Sequence, residues 1–578
     1  MRRLYILLAA VMTAFNLTAQ TLTVTTGNGS TQIDASQVGT MTYNSGDGTL
    51  TIGGTAYAVS DISKMTVTVS GGNTSSEMSR TVAVAYNGSS ATVTVSSDIA
   101  NYVTVSQSGA HVSIVQSDDV ADEITYTLSG SSSDGEFYME GSYKATVELN
   151  GLTLTNTNPV MSGAALHIQN GKRINIKVVE GTVNTLADAA GGSQKGCLYV
   201  KGHAEFKQKG TLNIVGNTSH AIKAGEYVSV KNATINVTSA VGDGINCNEY
   251  FLMESGTVSI SGTGDDGVQC DVDGDSSTGE TTDHEDEDSG NIYLEGGTLT
   301  VKVTVADTKG IKSAGDLKIS DGTVSVTHTG KSSSSAASKA IKSEGSMIIS
   351  GGTITASSSS HEAIESKGTL DISGGYIYAT ASDDAINAAS HLTISGGYVM
   401  ANSTGNDGID ANGNLYIKGG NVFAIATSQP EVGLDANTEG RYQLYITGGN
   451  VVAIGGFESG ASISGGTAQQ TSYSKGTWYA LYNGSDVAFA FKVPSNSSMG
   501  ASMAVYTVGT PGLKSGVTAS GSSFWEGNGA TSASGGSDVS LSSYSGGGGN
   551  IGGGGGPGGG GPGGGFGGGG FGGGPGGW

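Results

Sequence analysis

The sequence predicts an all-β protein: a right-handed parallel β-helix with about 22–23 residues per coil, flanked by small β regions and followed by a disordered Gly-rich tail. Three observations predict it. A short element of small, apolar, polar and small residues recurs, as in Ala221-Ile222-Lys223-Ala224, Gly244-Ile245-Asn246-Cys247, Ala363-Ile364-Glu365-Ser366 and Ala385-Ile386-Asn387-Ala388. Two further strand-like runs follow each copy, parted by a Gly-Gly turn, as in Leu370-Asp371-Ile372, Gly374-Gly375 and Tyr376-Ile377-Tyr378-Ala379. The composition agrees, since 98 Gly and 7 Pro among 578 residues suit tight turns between short strands and exclude a collagen-like chain.

Along the chain, residues 1–19 read as an export signal. Arg2 and Arg3 precede the apolar run Leu4 to Met12, which is too short to span a bilayer, and Ala19 is a plausible cleavage position. The mature protein is therefore expected to be secreted or otherwise outside the cytoplasm, without a membrane span. Residues 20–118 alternate apolar and polar positions, as in Leu22-Thr23-Val24-Thr25, and read as a small antiparallel β region with no recognisable site. Residues 119–467 carry the repeat. One coil cannot bury its own apolar face, but stacked coils share a core of Ile, Val, Leu and Ala, with a rise of about 4.8 Å per coil. Two long steps in the repeat hold the acidic stretch 271–288 and the serine-rich stretch 329–337. Residues 468–525 lose the period and read as a C-terminal β cap over the open end. Residues 526–578 read as a Gly/Ser-rich disordered tail.

Lys and Arg total 27 and Asp and Glu total 50, a net charge of −23. Nucleic acid is excluded as a partner, because affinity for its backbone comes from cationic side chains. A hard cation is the natural small partner.

The period turns sequence into proximity, because residues one coil apart stack. The turn before each apolar residue becomes a column containing Asp243, Asp265, Asp266, Lys309, Lys339, Glu362, Asp383, Asp384 and Asp407. The position after it becomes a second column with Asn246, Gln269, Lys312, Lys342, Glu365, Asn387, Asp410 and Asp435. Two carboxylates about 5 Å apart repel by roughly 3–4 kcal/mol at an effective dielectric near 20. Ca²⁺ between them removes that cost, and Asp, Asn and turn carbonyls supply the oxygens it takes. Two calcium sites are therefore expected, one among Asp243, Asp265, Asp266 and Asp271, the other among Asp383, Asp384, Asp407 and Asp410. The competing reading is a solvated acidic edge. Within the acidic stretch, Asp271, Asp273 and Asp275 match the first ligand spacings of a helix–loop–helix calcium loop, but Ser276 and Thr282 stand where Gly and Glu are required. A flexible acidic loop is the simpler reading.

Outward positions on the third strand form rows, Tyr376 above Tyr398 and Tyr378, Met400, Phe423 in sequence. Tyr376, Tyr378, Tyr398 and Phe423 are candidates to stack on sugar rings, unless the cap covers them. Lys312 and Lys342 could act as the base of a polysaccharide lyase beside calcium, or could simply neutralise neighbouring acids. Cys247 and Cys270 should stack as buried thiols, not as a disulfide. No Ser–His–Asp constellation, nucleotide-binding glycine motif or zinc signature is present in the sequence.

These residues resemble a family. The runs Asn150-Gly151-Leu152-Thr153-Leu154 and Gly181-Thr182-Val183-Asn184-Thr185-Leu186, with the repeated Asp-Gly-Ile or Asp-Ala-Ile turns and Ser-Gly-Gly-Thr, resemble the secreted carbohydrate-binding domain-containing proteins over about 120–465. The resemblance implies a calcium-associated, pectate-lyase-like β-helix that binds polysaccharide, with the calcium role falling on Asp265, Asp266 and Gly267 and on Asp383, Asp384 and Ala385. The sequence departs from that pattern at Leu186-Ala187-Asp188-Ala189 and at the lysine-bearing turns 309 and 339. The expectation is a secreted, monomeric, non-catalytic, calcium-dependent binder of an acidic or cell-wall glycan. A uronate lyase and a surface structural protein or adhesin are the alternatives.

Overall fold

A computed structural model describes residues 20–27, 29–34, 41–44, 46–69, 79–272, 274, 289–333, 337–495 and 498–546. The export signal, the acidic stretch after residue 274 with His284, and the glycine-rich tail from 547 lie outside the described residues. The chain divides into two units, Met1–Ser79 and Arg80–Trp578.

The first unit holds two three-stranded antiparallel sheets. Gln20–Thr26 is flanked by Gly29–Asp34 and Ile62–Val69, and Thr42–Asn44, Thr49–Ile52 and Thr55–Ala58 form the other. The alternation read from the sequence places Leu22 and Val24 in a small core with Leu50 and Ile52.

The second unit is a parallel β-solenoid of about 13 turns. Each coil supplies three strands. The first-strand sheet carries the repeated element in unbroken register: Leu198 pairs with Ile222, Ile222 with Ile245, Ile245 with Val268, and Val268 with Ile311. The ladder continues through Ile341, Ile364, Ile386 and Ile409 to Leu434. All these side chains are fully buried, so they form the continuous core that no coil could build alone. Register survives the long step from Val268 to Ile311. Cys247 and Cys270 are paired neighbours, fully buried and free, as expected.

Glycine pairs make the turn between the second and third strands. Gly397 has φ +81°, and a Cβ there would lie 2.7 Å from the Gly374 carbonyl oxygen of the coil below. A side chain is excluded both by the left-handed backbone and by the spacing of the stack.

Two boundaries differ from the sequence reading. Residues 80–116 belong with the solenoid, not with the N-terminal region: Thr81–Asn87 pairs in parallel with Ile124–Ser132, and His111–Gln116 with Glu136–Glu140. Each is also half of an antiparallel hairpin, and local alternation reveals only that half of its pairing. At the other end, the cap does not stop at 525. Met503–Thr507 pairs antiparallel with both Asn450–Ile454 and Thr467–Thr471 and extends the sheet. Gly529–Ser534 joins the cap sheet, Ser542 and Ser543 pair with Gln470 and Gln469, and the Tyr544 hydroxyl accepts the Phe457 amide at 3.0 Å. Residues 526–546, expected in the tail, are therefore part of the cap. Their Gly and Ser content hides Gly529–Ser534, the second arm of a hairpin with Thr518–Phe524, and Ser542 and Ser543, whose partners are distant in sequence.

Candidate functional site

The turn before the first strand stacks acids from successive coils. Asp243 Oδ1 accepts the Asp266 amide at 2.9 Å, and Asp266 Oδ1 accepts the Lys309 amide at 2.6 Å. Each carboxylate thus staples its coil to the next. Donor oxygens of Asp243, Asp265 and Asp266 lie within 4.8 Å of one another. Asp243 and Asp266 are buried and Asp265 is exposed. Burial, with Asp243 alongside and partly opposed by the Lys309 amide, pushes Asp266 up to about 7. Burial and Asp243 also raise Asp265. Asp271 is not part of this trio; Gln269 Nε2 holds its two oxygens at 2.8 and 2.6 Å.

The second expected cluster is rearranged. Asp384 Oδ1 accepts the Asp407 amide at 3.1 Å, and Asp407 Oδ1 accepts the Val432 amide at 2.6 Å. Asn387 Nδ2 bridges Asp384 Oδ2 at 3.2 Å and Asp410 Oδ2 at 2.7 Å. Asp410 pairs in register with Asp435. Burial is the first cause of a raised pKa at all four. Asp384, with Asp410, Asp383 and Asp407 nearby, is pushed up to about 9. Asp407 is raised to about 7, Asp410 to about 6, and Asp435, facing Glu458, to about 10. Asp383 turns away and joins His361 and Glu362, with donor atoms of those three within 4.8 Å. Its Oδ1 accepts Asn406 Nδ2 at 2.9 Å. Asp435 was visible in the repeat column, one coil beyond the expected ligands.

Lysine coils separate the two acidic stretches. Lys339 is buried between Glu362, at 3.1 Å, and Glu365. Lys312 Nζ lies 3.8 Å from Asp266 Oδ2, and Lys342 Nζ 2.5 Å from Glu344. Both nitrogens, offered as lyase bases or as neutralisers of neighbouring acids, face carboxylates of the protein.

The aromatic row is covered by the cap. Phe423 is fully buried and packs on Phe491 at 4.6 Å between ring centres. Tyr376 and Tyr398 stack on each other at 5.2 Å and against Phe524 at 5.4 and 4.6 Å. Tyr378 packs on the same core, and Trp525 Nε1 donates to the Tyr398 carbonyl at 3.2 Å. The expected sugar-stacking surface is instead the cap interface, whose aromatic side chains lie far along the sequence. A different pair remains partly exposed. Tyr416 and Tyr445 stack at 5.1 Å on the second strands of the coils that carry Asp410 and Asp435, with Tyr442 nearby in sequence and 41% exposed. The 29-residue step between Tyr416 and Tyr445 obscures this pair in the sequence.

Comparison with known proteins bears on this arrangement. Residues 108–385 match the family model for carbohydrate-binding domain-containing protein. The resemblance read from the sequence is thereby supported over most of the solenoid. The matched segment contains Asp243, Asp265 and Asp266 and ends at the turn bearing Asp383 and Asp384; later coils continue its register. No curated protein matches the chain. A matching solved structure is that of the polysaccharide lyase-like protein from C. thermocellum, gadolinium derivative, at 19% identity and a TM-score of 0.35, covering 46% of this chain and 96% of that one. No described helix is long and apolar enough to cross a membrane.

Proposed function

We propose that the chain is exported and acts as a monomeric, non-catalytic, calcium-dependent binder of an acidic or cell-wall polysaccharide. The observation that supports calcium is the close set of Asp243, Asp265 and Asp266 oxygens, two of the residues buried, in one rigid turn column. Its donors are carboxylate oxygens, the ligands a hard cation takes. Asp384, Asp407, Asp410 and Asp435 offer the same chemistry at the other acidic stretch. Bound calcium supplies the positive charge that the acids lack and leaves coordination positions for glycan carboxylates or hydroxyls. Tyr416, Tyr442 and Tyr445 provide ring faces beside the second stretch, replacing the covered row. The leader read at 1–19 supports export.

The test is a pull-down on polyuronate and on neutral cell-wall glycan, with and without chelator, alongside absorbance of unsaturated product. Retention that disappears on chelation, with no absorbance rise, is the expected result. Retention indifferent to chelator removes the calcium role, and product formation lost in Lys312→Ala or Lys342→Ala establishes a lyase instead.

A further inference from the structure

We propose that His203, Glu226 and Glu249 form a binding site for a borderline divalent metal of the zinc, cobalt and nickel class, distinct from the carboxylate clusters. The three residues lie 23 positions apart, one on each of three successive coils. Their donor atoms lie within 4.8 Å of one another. His203 is 1% exposed and Glu249 2% exposed, while Glu226 is half-buried. His203 Nε2 lies 3.4 Å from Glu249 Oε2. The other oxygen of that buried carboxylate, Oε1, has no hydrogen-bond partner among the described residues. A buried carboxylate oxygen left unpaired is costly, and a coordinated cation satisfies it.

The site is held in place by its surroundings. The His203 imidazole stacks on Tyr227 at 4.4 Å and 18°, and Tyr227 stacks on Tyr250 at 4.5 Å. The ring plane is therefore fixed. The Glu249 carbonyl accepts the Gly290 amide at 2.7 Å, which anchors the third coil. An imidazole nitrogen with two carboxylates suits zinc-class ions, whereas calcium and magnesium take oxygen. A similar set, His361, Glu362 and Asp383, is less suited, because Lys339 already supplies a positive charge to Glu362. The ion would tie three coils together at one point.

The test uses tag-free full-length protein, stripped with chelator and titrated with Co²⁺ in excess Ca²⁺. Visible absorption reports ligation, and Zn²⁺ is the competitor. One Co²⁺ per chain is expected, displaced by Zn²⁺ but not by Ca²⁺. His203→Gln, Glu226→Gln and Glu249→Gln should each weaken it by about tenfold or more, while His361→Gln and Asp266→Asn leave it unchanged. Circular dichroism checks that the variants fold; the half-buried Glu226→Gln is the mildest. A rise in the wild-type melting temperature with Zn²⁺ in excess Ca²⁺ gives a readout independent of variants. Absence of Co²⁺ binding in excess Ca²⁺, or binding lost in His361→Gln and retained in the other histidine variant, overturns the proposal. Because calcium is present throughout, failure here leaves the calcium-dependent reading standing.

Discussion

The Asp384 carboxylate receives the backbone amide of Asp407, one coil further along, at 3.1 Å. One oxygen thus serves the stack, while the other meets Asn387 and the field of neighbouring acids. The same residue is a structural staple and a candidate ligand, and the two roles have different signatures.

The first signature is pH dependence. Asp266, Asp384, Asp407, Asp410 and Asp435 are raised to between about 6 and about 10. The folded state then binds protons more tightly than the unfolded chain. This contribution to stability is fully present below the unfolded carboxylate pKa of about 3.9 and is lost as pH rises through those values. Calcium-free protein should therefore melt at progressively lower temperature from about pH 5 to pH 9. Calcium at a hundredfold excess over Kd should restore about 2.7 kcal/mol per site at pH 8. Scanning calorimetry with and without chelator measures both.

Asp384→Asn separates staple from ligand. The amide keeps an oxygen for the Asp407 backbone and removes the charge. The calcium-free variant should be more stable than the parent at pH 8 by about 1–3 kcal/mol, and its calcium response should shrink. Denaturant titration in both conditions checks the opposite signs.

Lys339 holds Glu362 and Glu365 in a buried setting. Lys339→Ala leaves both carboxylates without that cation. A loss of about 3–5 kcal/mol is expected, largest at high pH and partly relieved by Glu365→Gln. Chemical denaturation of the single and double variants reads it.

The cap packs through aromatic side chains. Trp525→Ala or Phe423→Ala should cost about 3–5 kcal/mol and expose the 468–546 segment to protease first. Polysaccharide retention by the still-folded solenoid should persist. A variant that keeps its protease resistance but loses glycan would restore the covered row as a sugar surface.

Gly397→Ala places a methyl group against the carbonyl of Gly374 in a left-handed turn. A destabilisation of about 1–3 kcal/mol is expected, measured by thermal melting.

The solenoid was legible because its signal is periodic: Ile222, Ile245 and Val268 recur one coil apart, and burial demands that they stack. Pairing of Asp243 with Asp266 and of Asp384 with Asp407 followed from the same period. Side-chain direction was not legible. Asp271 turns to Gln269 and Asp383 to His361, choices set by local hydrogen bonds that a column of letters does not contain. The cap interface was hidden for another reason: Tyr398 and Trp525 meet across 127 positions with no repeat to link them. The group of His203, Glu226 and Glu249 was periodic but crossed from the residue before one strand to the residue before that position in the next coil. It lies at the turn before the second strands, not at the acidic turn before the first.

In the acidic turns, the oxygen acceptor belongs to the earlier residue and the amide donor to the later one: Asp243 for Asp266, Asp266 for Lys309, Asp384 for Asp407, Asp407 for Val432. Synthesis begins at the amino terminus, so every acceptor exists before its donor is made. Backbone bonds in the same turns run the other way, from the Gly244 amide to the Asp266 carbonyl and from the Ala385 amide to the Asp407 carbonyl, so each rung is tied to the next by bonds of both senses.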